Sequence, residues 1–111
     1  MIPSATIDIF YDPVSGLAET RNEVASLANL PAGVTATAVN LVIHSLYDGV
    51  LATTTLTPTN TSGTATAIYL FNAATLGLGG FLLVFQFVLS NGLSILDVIQ
   101  VNVRPVVTAV Q

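Results

Sequence analysis

Few residues in this 111-residue chain have the type and spacing to do chemistry. His44 is the only imidazole. As a general base it would need Ser45 as nucleophile or Asp48 as orienting group. Adjacent side chains on a strand point to opposite faces, so His44 and Ser45 should diverge. The reading that fits is an outward strand histidine ahead of a hairpin. No G-x-S-x-G elbow is present, and Asn91-Gly92-Leu93-Ser94 does not supply one. The carboxylates are Asp8, Asp12, Glu19, Glu23, Asp48 and Asp97. Asp8 and Asp12 share strand parity and could offer oxygens to calcium, which normally takes more ligands than two carboxylates give. Asp12 and Asp48 stand where turn chemistry calls for Asp anyway. No two carboxyls are placed across a cleft as a glycosidase needs. Gly77-x-Gly79-Gly80 misses the dinucleotide fingerprint and leads into a strand instead of a helix. Asn60-Thr61-Ser62 is a glycosylation acceptor only in a eukaryotic secretory pathway.

Composition explains why chemistry is sparse. Charged residues are 7% of the chain and hydrophobic residues 52%. Lysine is absent, and the only cations are Arg21 and Arg104. That excludes a basic patch for nucleic acid or anionic lipid. High hydrophobicity with little charge excludes classical disorder. No cysteine means no disulfide, thiolate metal site or cysteine nucleophile. No cofactor is expected. The strongest apolar run, Leu76–Leu89, is shorter than the roughly 17–25 residues of a spanning helix and contains three glycines and Gln86. No membrane span is therefore expected. The start, MIPSATIDIFYD, has two early Asp and no cationic stretch, so no signal peptide is expected either.

The elements that must position these residues are short strands, and the length fits one domain over residues 1–111. Thr6–Tyr11 alternates and closes at Asp12-Pro13-Val14-Ser15-Gly16. Glu19–Leu30 fits two readings. Thr20-x-x-Glu23 resembles a capping box and Val24, Leu27 and Ala28 have helical spacing, yet a strand fits as well. From Val34 the period is two: Val39, Leu41 and Ile43 on one face, Asn40, Val42 and His44 on the other. Asp48-Gly49 signals a type I′ hairpin returning through Val50–Thr57. Residues 58–63 read as loop, and Thr64–Phe71 as strand. Residues 72–80 read as a corner, because their glycines disfavour regular structure. Phe81–Leu89 and Leu93–Arg104 read as strands about a second type I′ turn at Asn91-Gly92, and Pro105 ends the ladder. Six or seven short strands with regular turn signals predict an all-β sandwich or barrel.

Phe81–Leu89 is apolar on both faces. One carries Phe81, Leu83, Phe85 and Phe87, the other Leu82, Val84 and Val88. An antiparallel strand usually keeps one polar face. Either the Glu19–Leu30 segment covers the second face, or another subunit does. The interface candidates are therefore Leu82, Val84 and Val88, with Phe10 and Tyr47.

A resemblance adds to this reading. Asn72-Ala73-Ala74-Thr75, Gly80-Phe81-Leu82-Leu83-Val84, Ser90-Asn91-Gly92 and Gln100-Val101-Asn102-Val103-Arg104-Pro105 resemble the closing strands of immunoglobulin-like domains. Ile7-Asp8-Ile9-Phe10 with Asp12-x-x-x-Gly16 is similar to their first strand and turn. The chain lacks the cysteine pair and core tryptophan of antibody-type domains. Small domains of this composition resemble structural proteins of tailed bacteriophages. The resemblance implies an immunoglobulin-like antiparallel β-sandwich with no enzymatic activity. It implies a virion structural protein made in the host cytoplasm and resident on the particle. The leading form is a capsid decoration (cement) protein, a homo-oligomer whose main partner is the major capsid protein. A tail, head–tail or fibre-base subunit is the alternative within that class. Outside it, a carbohydrate- or calcium-binding adhesion module would use Tyr11, Tyr47 and Tyr69 as a stacking surface, although tyrosines on separate strands more often serve core or interface.

Overall fold

A computed structural model describes residues 3–47 and 49–105. It contains eight strands: β1 (Ala5–Tyr11), β2 (Thr20–Leu27), β3 (Ala36–Ser45), β4 (Gly49–Leu56), β5 (Thr59–Thr61), β6 (Thr64–Asn72), β7 (Gly79–Leu89) and β8 (Ser94–Pro105). One helical turn, α1 (Ala73–Leu76), joins β6 to β7. Five strands form one sheet in the order β1-β8-β7-β3-β4, and three form the other in the order β2-β6-β5. The two sheets make an all-β sandwich of eight strands, with the first strand on the larger sheet beside the last. All pairings are antiparallel except one: β1 runs parallel to β8, from Ala5 opposite Ile99 to Tyr11 opposite Pro105.

Bulk is divided unequally between the inner faces. The five-stranded sheet contributes Phe81, Leu83, Phe85 and Phe87 from β7, Leu41 from β3 and Val101 from β8, all buried. The three-stranded sheet answers with Ala25, Ala65 and Ala67, also buried in the same cluster. Large side chains from one sheet thus fill the space left by small ones on the other, as dense packing requires. Tyr69 and Phe71 close the cluster on β6, stacked with ring centroids 5.6 Å apart.

Several expectations are corrected. Glu19–Leu30 forms no helix; its centre is β2, paired with β6 from Thr20–Asn72 to Leu27–Ala65. An eight-residue ladder with β6 pairs one side of that backbone, and strand parity slots Ala25 between the sheets. Joined to the three-stranded sheet, this segment does not cover the second face of β7. Residues 58–63 contain a strand, which raises the count to eight. Ser62 and Gly63 have φ of 47° and 81°, the two positive values of a type I′ turn, closing β5 on β6. Asn91-Gly92 is not such a turn. Only Gly92 has positive φ, and its N–H donates to the Leu89 carbonyl, making a type I turn ended by a left-handed glycine. The β3–β4 hairpin forms, closing at Ser45–Gly49; Asp48 lies outside the described residues. The corner after β6 holds α1, because the Asn72 side chain accepts from the Ala74 N–H at 2.8 Å and caps it.

One side chain ties the sheets together. The Asn60 carbonyl oxygen accepts from the Ala36 N–H at 2.8 Å, and its amide donates to the Ala36 carbonyl at 3.0 Å. Ala36 sits where the β3–β7 register slips. Its backbone groups are therefore satisfied from the opposite sheet.

Candidate functional site

His44 and Ser45 diverge on β3, as alternation requires. His44 lies in register with Leu82 on β7 and Val50 on β4. The Ser45 hydroxyl accepts from the Tyr47 N–H at 3.2 Å, which ties it into the hairpin. Asp48, the third member of that arrangement, lies outside the described residues. Among the described residues no three His, Asp or Glu side chains are grouped to hold a metal. No helix among them is long and apolar enough to cross a membrane. Arg21 lies 3.6 Å from Glu23 and 3.9 Å from Glu19, a loose surface triplet. Tyr11 and Tyr69 pack against the core from different sheets, while Tyr47 stands exposed in the hairpin, so the three share no stacking surface.

Asp8 and Asp12 are each engaged separately. Asp8 Oδ1 accepts from Arg104 Nε at 3.0 Å and from Asn102 Nδ2 at 3.2 Å. The arginine bond, then the asparagine bond, hold its carboxyl below the usual range. Asp12 accepts from the Ser15 hydroxyl at 2.7 Å and the Val14 N–H at 3.0 Å, which lower it too. A carboxyl depressed in the folded state adds stability above its unfolded value of 3.8, and that stability is lost as the pH falls through the depressed value. Asp8→Asn is therefore expected to flatten the acid limb of the stability–pH curve. Urea unfolding between about pH 2.5 and 7 measures this; a variant curve as steep as the parent's would show that the Asp8–Arg104 pair contributes nothing.

The remaining features with functional content are surfaces. On the outer face of the five-stranded sheet, Leu82, Val84 and Val88 follow one another along β7, with Gln86 between the last two. Val84 is directly beside Val42 on β3 and Val98 on β8. Val84 and Val98 are only 6% and 5% exposed although they lie outside the core cluster. A polar ladder crosses the same face: Thr55 Oγ1 donates to Asn40 Oδ1 at 3.4 Å, and Asn40 Nδ2 to Gln86 Oε1 at 3.3 Å. Phe10 is half exposed on β1, and the Asp8–Asn102–Arg104 network separates it from Leu82. Tyr47 stands apart at the hairpin. The five candidates thus divide into a β7 stripe and two outliers.

The more exposed apolar patch lies on the opposite side. On the outer face of the three-stranded sheet, Val24 pairs with Ile68, and Leu70 lies next along β6. They are 49%, 59% and 62% exposed. Around them stand Thr20, Asn22, Ser26, Thr64, Thr66 and Asn72, with Thr59 and Thr61 on β5. No charged side chain shares this face among the described residues. Sequence reasoning missed the patch, although Thr64–Asn72 carries the signal: alanine at Ala65 and Ala67 on the inner parity, Ile68 and Leu70 on the outer.

Comparison with protein-family models, with curated proteins and with solved structures finds no match for this chain.

Proposed function

We propose that this chain is a non-enzymatic assembly subunit, seated on a partner protein through the outer face of its three-stranded sheet. The observation that carries this is the uncharged Val24–Ile68–Leu70 face. An exposed apolar centre rimmed by Thr, Ser and Asn has the composition of an interface core, where charge is depleted. Burying it strands no ion, so desolvation costs little. Two further observations favour structure over catalysis: the side chains able to do chemistry are dispersed, and the two shifted carboxyls are occupied by their own neighbours.

The resemblance to virion domains of tailed phages supplies the setting. On that reading the partner is the major capsid protein and the chain decorates and cements the head shell. A tail, head–tail or fibre-base position would use the same face on a different partner.

The test is particle binding. Shells assembled by co-expression with the capsid gene nearest this one in its genome are expected to carry the chain at a fixed ratio to shell protein. Ile68→Glu is expected to reduce that occupancy at least about tenfold, because a carboxylate buried unpaired costs more than the ~1.4 kcal/mol that tenfold represents. Stability should change by less than about 0.5 kcal/mol, as is usual for an exposed position. Bare shells with the parent chain, or full occupancy by Ile68→Glu, would overturn the proposal.

A further inference from the structure

We infer that the chain pairs with a second copy of itself through β4, edge to edge, to make one continuous ten-stranded sheet. This deepens the assembly reading by naming the self-contact, and it rests on that reading. Among the described residues there are four sheet edges: β1 and β4 on the larger sheet, β2 and β5 on the smaller. Natural edges are blunted by charge, proline or shortness. β1 carries Asp8, β2 carries Arg21 and Glu23, and β5 is three residues long. β4 is eight residues, GVLATTTL, with no charge and no proline, and every residue but Leu56 is exposed. The register slip opposite Ile43 and His44 leaves Leu51 out of the ladder, so the regular edge is Ala52–Leu56. Along that stretch one side of the backbone is bonded to β3 and the other has no strand beside it among the described residues.

The occupant follows from the sequence of this edge. A two-fold axis through Thr54 sets Thr54 opposite itself, Thr53 opposite Thr55, and Ala52 opposite Leu56. Pairing residues of equal parity keeps the two outer faces on one side of the joined sheet. An axis through Thr53 would instead set Thr55 against the bulged Leu51. Threonines facing one another form cross-strand hydrogen-bonded pairs. The polar ladder from Gln86 through Asn40 ends at this edge, on Thr55. Its hydroxyl donates inward to Asn40, and its lone pairs can accept from a facing threonine. The formal charge of −4 per copy opposes self-association, but none of it lies within β4. A symmetric contact of this kind is self-complementary and closes at two copies.

Cysteine scanning tests this directly, because the chain has no cysteine and any disulfide in a single-cysteine variant must link two copies. Facing residues of an antiparallel pair have Cα atoms about 4.5–5.5 Å apart, inside the range a disulfide spans. Thr54→Cys is expected to convert most of the protein to a covalent dimer under mild oxidation. Ser26→Cys, on the outer face of the smaller sheet, is expected to remain monomeric on a denaturing gel. Light scattering should give a dimer for the parent chain. Thr54→Lys, which sets like charges face to face, should give a monomer with an unchanged far-ultraviolet spectrum. A monomeric parent, or a dimer that crosslinks through Ser26→Cys and not through Thr54→Cys, would overturn the inference. Crosslinking at Thr54 without particle binding would keep the dimer and remove the virion reading. Particle binding without crosslinking would do the reverse.

Discussion

Asn60→Ala is expected to lower the unfolding free energy by about 2–4 kcal/mol, although Asn60 lies in a three-residue edge strand. The substitution removes both inter-sheet bonds and leaves the N–H and carbonyl of Ala36 without their partner, at a residue that is itself buried. An unsatisfied buried backbone group costs roughly 1–3 kcal/mol, and here there are two. Asn60→Asp separates the contributions. It keeps an acceptor for the Ala36 N–H but sets a carboxylate against the Ala36 carbonyl, so it should be no better than alanine at neutral pH and should recover as the pH is lowered. Urea unfolding of the three proteins at about pH 7 and pH 4 decides it. A loss below about 0.5 kcal/mol for Asn60→Ala would mean that water replaces the amide and that the bridge does not hold the sheets.

Phe85→Ala should be larger still, about 3–5 kcal/mol. The ring is wholly buried at the middle of β7. The cost of a cavity depends on how far its surroundings can collapse. The opposing sheet contributes Ala25, Ala65 and Ala67 to the same buried cluster, and alanine has no side chain that can swing into a space. A loss of this size approaches the whole stability of an ordinary domain. The control is the adjacent residue. Val84 is almost as inaccessible as Phe85 but faces outward, beside Val42 and Val98 of its own sheet. Val84→Ala should cost about 1 kcal/mol, because water can reach the position instead of leaving a void. Thermal and denaturant unfolding of the two variants reads the difference. Equal losses would place Val84 under a cover as complete as the core.

The strands of the larger sheet were legible where alternation was strict. Val39, Leu41 and Ile43 on β3, and Ile99, Val101 and Val103 on β8, face inward as their spacing requires. β2 was ambiguous for a physical reason. Its apolar residues satisfy helical and strand spacing alike, and the choice is made by β6, whose backbone it needs. β5 could not be read locally, since Thr59-Asn60-Thr61 has no hydrophobic pattern and its anchor is a bond to Ala36 on the other sheet. The turn at Ser62-Gly63 was hidden because serine is not a usual left-handed residue, whereas Asn91-Gly92 looks like a type I′ pair and folds otherwise. On the surface, the second face of β7 is apolar in sequence, yet Val84 on it is only 6% exposed. The exposed patch on β6 is hard to read because both parities of Thr64–Asn72 carry large apolar residues, Ile68 and Leu70 on one and Tyr69 and Phe71 on the other; Ala65 and Ala67 show which side is inward.

The parallel pairing of β1 with β8 has a consequence in time. Of the described strands β1 leaves the ribosome first and its partner β8 last. At about 5–20 residues per second, synthesis of the intervening chain takes roughly 5–20 s. Throughout that interval the three-stranded sheet and the β3–β4 hairpin can form, but Ile7 and Ile9 have no edge to join. The larger sheet is completed only when residues near Pro105 are free to dock. Its first-made strand is therefore its last-placed one, and the uncharged β4 edge exists before the opposite side of the same sheet has been built.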